Sequence, residues 1–133
     1  MTTVVFACVH NAGRSQMAAA LFNALVDPAK ARGTSAGTEP AERVHPEVVE
    51  AMREVGLDLA SARPQRLTHK VTNHADVLVT MGCGEQCPIV PDVRREDWDL
   101  RDPKGLPLDQ VRKIRDEIRA RVEALVCELD CMR

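Results

Sequence analysis

The sequence predicts an α/β fold: a four-stranded parallel sheet with helices on both faces, in one domain covering residues 1–133. Short apolar segments alternate along the chain with longer segments of helical period. This alternation is typical of parallel strands joined by right-handed crossover helices. A chain of 133 residues is long enough to bury one hydrophobic core without a disulfide or a structural metal.

Four strands and four helices account for this alternation. The predicted strands cover residues 4–7, 33–37, 76–81 and 97–100. The predicted helices run from residue 14 to the Asp27-Pro28 pair, from Pro46 to a cap at Gly56, over 67–74, and over 108–129. The last helix has an apolar seam with spacings of three and four, formed by Val111, Ile114, Ile118, Val122, Leu125 and Leu129.

Composition and charge exclude several classes of protein. Apolar residues make up 44% and charged residues 29%, with a net charge of −2, so no general attraction to nucleic acid is expected. Two Phe, one Trp and no Tyr leave little material for stacking on bases. No segment has the length of a membrane span, and the apolar run at residues 4–7 is too short for a signal peptide. A cytoplasmic location is therefore expected, and five cysteines in a reducing compartment indicate thiol chemistry.

Residues 8–15, Cys-Val-His-Asn-Ala-Gly-Arg-Ser, carry the clearest functional signal. They follow a predicted strand and lead into a predicted helix, so consecutive backbone N–H groups and the positive end of the helix can surround an anion. Arg14 can contact two oxygens of a tetrahedral oxyanion, and the same field favours the reactive thiolate of Cys8. The predicted oxyanion-binding residues are Val9, His10, Asn11, Ala12, Gly13, Arg14 and Ser15.

Three segments that lie far apart in sequence are expected to meet at one edge of the sheet. Cys8 follows the first strand, Cys83 and Cys87 follow the third, and Asp102 follows the fourth. Ligands of such sheets bind beyond the carboxyl ends of the strands. Cys83 and Cys87 lack a second ligand pair with the spacing of a zinc site, so no metal site is predicted and a redox role is favoured.

These motifs resemble the low-molecular-weight protein tyrosine phosphatase superfamily, and most closely its arsenate reductase branch. The resemblance rests on residues 8–18, on Ser35-Ala-Gly-Thr38, on Val79-Thr-Met-Gly-Cys83, and on the pairs Cys87-Pro88 and Asp102-Pro103. Together with Trp98 these motifs extend over nearly the whole chain.

The resemblance implies reduction of arsenate to arsenite, with phosphate and sulfate as competing anions. Cys8 would attack the arsenic, and Asp102 would protonate the departing oxygen. Cys83 would then attack the sulfur of Cys8, and Cys87 would attack Cys83, leaving a Cys83–Cys87 disulfide. No bound cofactor is expected, and an external thiol reductant is required.

The identity of that reductant stays open. Two cysteines in one loop favour thioredoxin. The sequence Met81-Gly-Cys-Gly84 instead resembles the branch in which mycothiol or glutathione, with mycoredoxin or glutaredoxin, resolves the arsenic. Cys83 and Cys87 need not be catalytic in that branch. Some relatives hold a potassium ion with an acidic residue where this chain has Ala19, so no such cation site is predicted.

Other conspicuous residues receive structural interpretations. Cys127 and Cys131 lie away from the apolar seam of the last helix, so both are expected to be exposed. The arginines between residues 112 and 121 alternate with acidic residues, which is typical of a solvated face. His10 is expected to shape the loop, His45 to precede a helix, and Trp98 to pack near the rim of the site.

Two alternative functions remain. A low-molecular-weight tyrosine phosphatase would use the same loop to form a cysteinyl-phosphate. The scarcity of aromatic residues for a phosphotyrosine pocket argues against it. A non-catalytic module that binds or senses arsenate, phosphate or arsenite is the second alternative.

Overall fold

The computed structural model describes residues 1–82 and 93–133, and it confirms the α/β fold. The strands are β1 (Thr2–Cys8), β2 (Ala31–Gly37), β3 (Val77–Thr80) and β4 (Arg94–Asp97). They form one sheet in the order β2-β1-β3-β4, and every adjacent pair is parallel. The helices are α1 (Arg14–Leu25), α2 (Pro46–Arg53), α3 (His69–Thr72) and α4 (Leu108–Glu128).

Strand β1 is the centre of the molecule. It pairs with β2 on one side and with β3 on the other, and its residues from Val4 onward are buried. Alternate side chains point to opposite faces of a strand, so Phe6 contributes to one core and Val5 to the other. Cys8, the last residue of β1, pairs with Gly37 of β2, whereas the ladder to β3 ends one residue earlier at Ala7.

The two faces of the sheet are covered unequally. The larger core contains Phe6 and Phe22, whose rings meet edge to face at 5.6 Å, together with apolar residues of α2 and α4. Helix α4 packs against both α1 and α2 on this side. The smaller core contains Val5 and Leu78, with Val71 of α3 packed against it. Helices lie on both faces as predicted, although α3 has only four residues.

The fourth strand was predicted at residues 97–100, but it lies at Arg94–Asp97. β4 is an edge strand with mostly exposed charged residues, so apolar periodicity does not mark it. The buried residues Trp98 and Leu100 follow the strand, and Trp98 donates its backbone N–H to the carbonyl of Thr80 at 2.8 Å. The apolar residues on which the prediction rested therefore lie in the segment after β4, which leads to Asp102.

The prediction that Cys131 is exposed is wrong, whereas Cys127 is exposed as expected. Helix α4 ends at Glu128, and Asp130 adopts a positive φ of 51° that turns the chain back. Cys131 then packs into the core, and its carbonyl accepts from the N–H of Asp27 at 2.8 Å. The prediction placed Cys131 by helical spacing, but the helix ends three residues before it. Burial raises the pKa of the Cys131 thiol.

One arginine of α4 does not lie on the solvated face predicted for residues 112–121. Arg115 is buried and donates to the carbonyl of Ala51 at 2.8 Å and to the carboxylate of Glu54 at 2.9 Å. Arg112 also donates to Glu54, at 2.6 Å and 2.9 Å. Glu54 follows the last residue of α2, so the two guanidinium groups join α2 to α4.

Within residues 1–82 and 93–133, no helix is long and apolar enough to cross a membrane.

Replacing Glu54 by Gln should reduce the loss of stability in acid. Hydrogen bonds from Arg112 and then Arg115 lower the pKa of Glu54 from 4.5 to about 2. The carboxylate therefore stabilises the folded state above its unfolded pKa, and this contribution is lost as the pH falls toward the folded value. Urea unfolding at about pH 5 and about pH 2.5 should show a smaller decrease in the free energy of unfolding for Glu54→Gln than for the unmodified chain.

Glu123→Gln is the matched control, because Glu123 forms an exposed pair with Arg119 and, among the described residues, with no other cation. Equal acid sensitivity of all three proteins would contradict the assignment to Glu54.

Candidate active site

The predicted loop lies between the end of β1 at Cys8 and the start of α1 at Arg14. It folds tightly against the end of β2. A Cβ atom on Gly37 would lie 2.6 Å from the carbonyl oxygen of Val9 and 3.0 Å from the backbone nitrogen of Asn11. Only glycine admits this approach. Asn11 itself has a positive φ of 50°, a conformation that Asn tolerates better than most residues.

The carbonyl groups of the loop point outward to a neighbouring segment, residues 38–45. The carbonyls of Cys8, Val9, His10 and Ala12 accept from the N–H groups of Thr38, Glu39, Ala41 and His45 at 2.8–3.1 Å. In a planar trans peptide the N–H points opposite to the C=O. Each outward carbonyl therefore turns the following N–H toward the inner side of the loop, where Cys8 lies. This orientation of the peptide groups is the one that a concave set of N–H donors requires.

The sulfur of Cys8 is surrounded by donors. Ser15 Oγ lies 2.8 Å from Cys8 Sγ, and the backbone N–H of Asn11 donates to the same sulfur at 3.3 Å. Asn11 Nδ2 in turn donates to Ser15 Oγ at 2.7 Å. Cys8 is buried, with 2% of its surface exposed, and it forms no disulfide. The sulfur therefore has hydrogen-bond partners in both the loop and the first turn of α1.

Arg14 lies at the base of this site with its guanidinium buried among backbone groups. Its Nη1 donates to the carbonyl of Leu100 at 3.1 Å, and its Nη2 lies 3.8 Å from Asp102 Oδ2. Gly82 borders the other side, since a Cβ atom there would lie 2.5 Å from Arg14 Nη1. Arg14 is therefore fixed in position by two segments that are distant from it in sequence, one at Gly82 and one at residues 100–102.

Asp102 and Pro103 lie beside the loop, next to Arg14 and Gly13. Asp102 Oδ1 accepts from the backbone N–H of Lys104 at 3.0 Å, which fixes the carboxylate in a turn. Its side chain is 46% exposed, so it is open to solvent and to a bound anion. The Pro103 ring lies so close to the N-cap residue of α1, Gly13, that a Cβ atom there would meet it at 2.6 Å. Arg14 at the start of α1 is thus brought to Asp102, and the loop that leads into α1 begins at Cys8.

His45 belongs to the surroundings of the site, although the sequence suggested only a position before α2. Its ring is 3.6 Å from the point where a Gly13 Cβ would stand. Burial lowers the pKa of His45, and the nearby carboxylate of Asp102 opposes this shift only in part. Burial therefore favours the neutral form of the His45 ring. The sequence around His45 gives no indication that its ring packs beside Gly13.

The remaining predicted residues have different positions. His10 shapes the loop as expected, since its Nδ1 lies 3.1 Å from the carbonyl oxygen of Glu39. Trp98 is buried near the site and tilts against Phe6 at 5.8 Å. Cys83 and Cys87 lie outside the described residues. Among residues 1–82 and 93–133, no group of three or more His, Cys, Asp or Glu side chains could hold a metal ion.

A buried cysteine at the end of the first strand, followed by a tight loop and a helix that begins with arginine, is typical of phosphatase-like proteins with a parallel sheet. The chain matches the family described as low molecular weight phosphotyrosine protein phosphatase over residues 3–132. It belongs to this family.

Several relatives within the family act on arsenate by name. The chain is 35% identical to the glutaredoxin arsenate reductase of Synechocystis over 132 residues, which covers 97% of this chain and 99% of that protein. It superposes on the structure of the thioredoxin-dependent arsenate reductase of Corynebacterium glutamicum with a TM-score of 0.85 and 37% identity. That match covers 98% of this chain but 62% of the longer Corynebacterium protein.

The same fold is also found in a protein that is named as a phosphatase. An arginine phosphatase from Geobacillus stearothermophilus superposes with a TM-score of 0.85 at 26% identity, covering 98% of this chain and 94% of that one. The fold therefore does not by itself distinguish between reduction of arsenate and hydrolysis of a phosphoryl group.

Replacing Gly82 by Ala should weaken anion binding, because the added methyl group would displace the Arg14 guanidinium. We expect a decrease of about tenfold in arsenate affinity, the loss of one good charge-assisted hydrogen bond. Affinity is measured as protection of Cys8 from alkylation by increasing arsenate.

Gly56→Ala is the matched control for backbone strain. Gly56 has a φ of 81°, close to the 84° of Gly82, but nothing lies within 4 Å of its Cβ position. Both variants should lose about 1–2 kcal/mol of stability. Unchanged arsenate affinity in Gly82→Ala, or an equal loss in Gly56→Ala, would contradict the role of Gly82.

Proposed function

We propose that this protein reduces arsenate to arsenite and serves in arsenic detoxification. Cys8 is the nucleophile, Arg14 and the loop N–H groups bind the oxyanion, and Asp102 is the general acid. Support comes from the donors around Cys8 Sγ, from the position of Asp102 at 3.8 Å from Arg14, and from arsenate reductases among the relatives. An external thiol supplies the electrons, and no bound cofactor takes part.

The position of the aromatic residues distinguishes arsenate from phosphotyrosine as the substrate. The whole chain has two Phe, one Trp and no Tyr. Phe6 and Phe22 are 0% exposed and Trp98 is 5% exposed, so all three rings belong to the core. None of them is available to flank a phosphotyrosine ring, which such a pocket requires. The site suits a small inorganic oxyanion, and this observation carries the assignment.

The first chemical step is nucleophilic substitution at arsenic(V). The Cys8 thiolate forms a sulfur–arsenic bond, and one arsenic–oxygen bond breaks. The departing oxygen takes a proton from Asp102 and leaves as water. Arg14 and the N–H groups of residues 9–15 balance the negative charge of the remaining oxygens. No redox change has occurred at this point.

The second step is the reduction itself. A second thiolate attacks the sulfur of Cys8, the sulfur–arsenic bond breaks, and its electron pair stays on arsenic, which leaves as arsenite. In our proposal Cys83 is this thiol, and Cys87 then attacks Cys83 and frees Cys8. The resulting Cys83–Cys87 disulfide holds the two-electron oxidation, which an external reductant reverses.

Thioredoxin is the reductant we propose, because two cysteines follow β3 in one segment. The competing route uses mycothiol or glutathione with mycoredoxin or glutaredoxin. It draws support from Gly82 and Gly84 around Cys83 and from the glutaredoxin arsenate reductase among the relatives. Either reductant places the protein in a thiol-reducing compartment, so a cytoplasmic location is part of the proposal.

Asp102→Asn should slow turnover without weakening anion binding. Loss of the general acid is expected to reduce kcat by about 10²–10⁴-fold. The ion pair with Arg14 disappears, so the guanidinium stays available to the anion and the affinity for arsenate stays within about twofold. Arsenite production at saturating reductant gives kcat, and alkylation protection gives affinity. Unchanged kcat would remove Asp102 from the mechanism.

Cys83→Ser tests the route of the electrons. With thioredoxin as the only reductant, arsenite production should fall at least about 10³-fold, while Cys127→Ser, which removes an exposed thiol outside the site, should have no effect. Mass spectrometry of the unmodified chain after arsenate treatment without external thiol should show a Cys83–Cys87 disulfide. A stalled arsenic adduct on Cys8 would instead indicate the small-thiol route.

The two alternative functions give different results in the same assays. A phosphatase would hydrolyse phosphorylated substrates rapidly and form no arsenite. A binding or sensing module would protect Cys8 from alkylation in arsenate yet never consume reductant.

A further inference from the structure

We propose that Gln16 is a positioning residue that sets the direction of the hydrogen bond received by the Cys8 thiolate. Nothing in the proposed chemistry uses Gln16, yet it is buried directly behind the loop. The inference rests on Cys8 as the nucleophile. It concerns only the state of the Cys8 sulfur and does not require arsenate as the substrate.

Two backbone groups determine which end of each side-chain amide, that of Gln16 and that of Asn11, donates and which accepts. The side-chain amide of Gln16 faces the carbonyl oxygen of Arg63 at 3.3 Å, and a carbonyl can only accept, so the facing atom is Nε2. The backbone N–H of Gln65 faces the side chain of Asn11 at 2.9 Å, and an N–H can only donate, so the facing atom is Oδ1. Neither amide can be reversed without an unfavourable contact.

The two fixed groups then act on the same oxygen. Gln16 Nε2 donates to Asn11 Oδ1 at 3.2 Å, beside the donation from the Gln65 N–H. With Oδ1 held by two donors, Asn11 Nδ2 points to Ser15 Oγ at 2.7 Å and must donate. Ser15 Oγ has a single hydrogen, and Cys8 Sγ lies 2.8 Å away to receive it.

Direction matters because Ser15 could otherwise donate its hydrogen elsewhere. If Asn11 were turned over, its Oδ1 would compete with the sulfur for the Ser15 hydrogen. Asn11 and Ser15 are both fully buried, so no exposed surface of either residue offers an alternative partner in solvent. Gln16 therefore acts on the thiolate through Asn11 and Ser15 without touching it.

Gln16→Glu is the decisive variant. A carboxylate of nearly the same shape would face two acceptors, Asn11 Oδ1 and the Arg63 carbonyl. It would therefore favour the orientation of the Asn11 amide in which Nδ2 and Oδ1 are exchanged. We expect alkylation of Cys8 by iodoacetamide at neutral pH to slow about tenfold, with the pH profile displaced by about one unit to higher pH. Trypsin releases residues 1–14 as a peptide in which Cys8 is the only cysteine, so mass spectrometry follows this thiol alone.

Two further variants distinguish the relay, the chain of hydrogen bonds from Gln16 through Asn11 and Ser15 to Cys8, from a direct effect of the new charge. Gln16→Met removes the donor without reversing polarity, and the Gln65 N–H still holds Asn11, so alkylation should slow less than about threefold. In a Ser15→Ala background, Gln16→Glu should change the alkylation rate less than about twofold. An equal effect with and without Ser15 would show that the introduced charge acts directly on the sulfur, and the proposal would fall.

A nuclear magnetic resonance measurement keeps the proposal testable if Gln16→Glu does not fold. In the unmodified chain the side-chain amide protons of Asn11 should exchange slowly with solvent. Ser15→Ala should accelerate their exchange while leaving those of Gln16 slow, because the latter bind Arg63 and Asn11. Unchanged Asn11 exchange in Ser15→Ala would overturn the relay.

Discussion

The site depends on the hydrogen bonds between the carbonyls of the Cys8 loop and the backbone of residues 38–45. Those bonds turn the peptide groups of the loop so that their N–H groups face inward. Neither the thiolate of Cys8 nor an oxyanion would find a set of aligned donors without them. The position of Arg14 at the start of α1 follows from the same loop, because the helix begins where the loop ends. One backbone arrangement thus supports both nucleophile and anion.

Three glycines let separate segments approach this loop closely. Gly37 admits the loop itself, Gly13 admits the ring of Pro103, and Gly82 admits the guanidinium of Arg14. A Cβ atom at any of these positions would lie within 2.6 Å of a neighbour. Of the three, only Gly82 has a positive φ. At Gly13 and Gly37 the requirement is space rather than backbone conformation.

Polar groups behind the loop complete the site. Asn11, Ser15 and Gln16 are all buried polar residues, and each has a hydrogen-bond partner of fixed polarity. Buried polar groups cost stability unless they are satisfied, so such a network favours one arrangement over others. All three aromatic rings of the chain lie in the surrounding core.

The sequence alone determined the alternation of strands and helices, the loop between β1 and α1, and the approach of Asp102 to Arg14 at one edge of the sheet. These features follow from local periodicity and from the rule that parallel strands end at one edge of the sheet. Tertiary structure decided the rest. The edge strand β4 has too little apolar character to reveal itself, and Cys131 is buried because the chain reverses after α4. The roles of His45, Arg115 and Gln16 arise from contacts across long sequence separations, which no local pattern records.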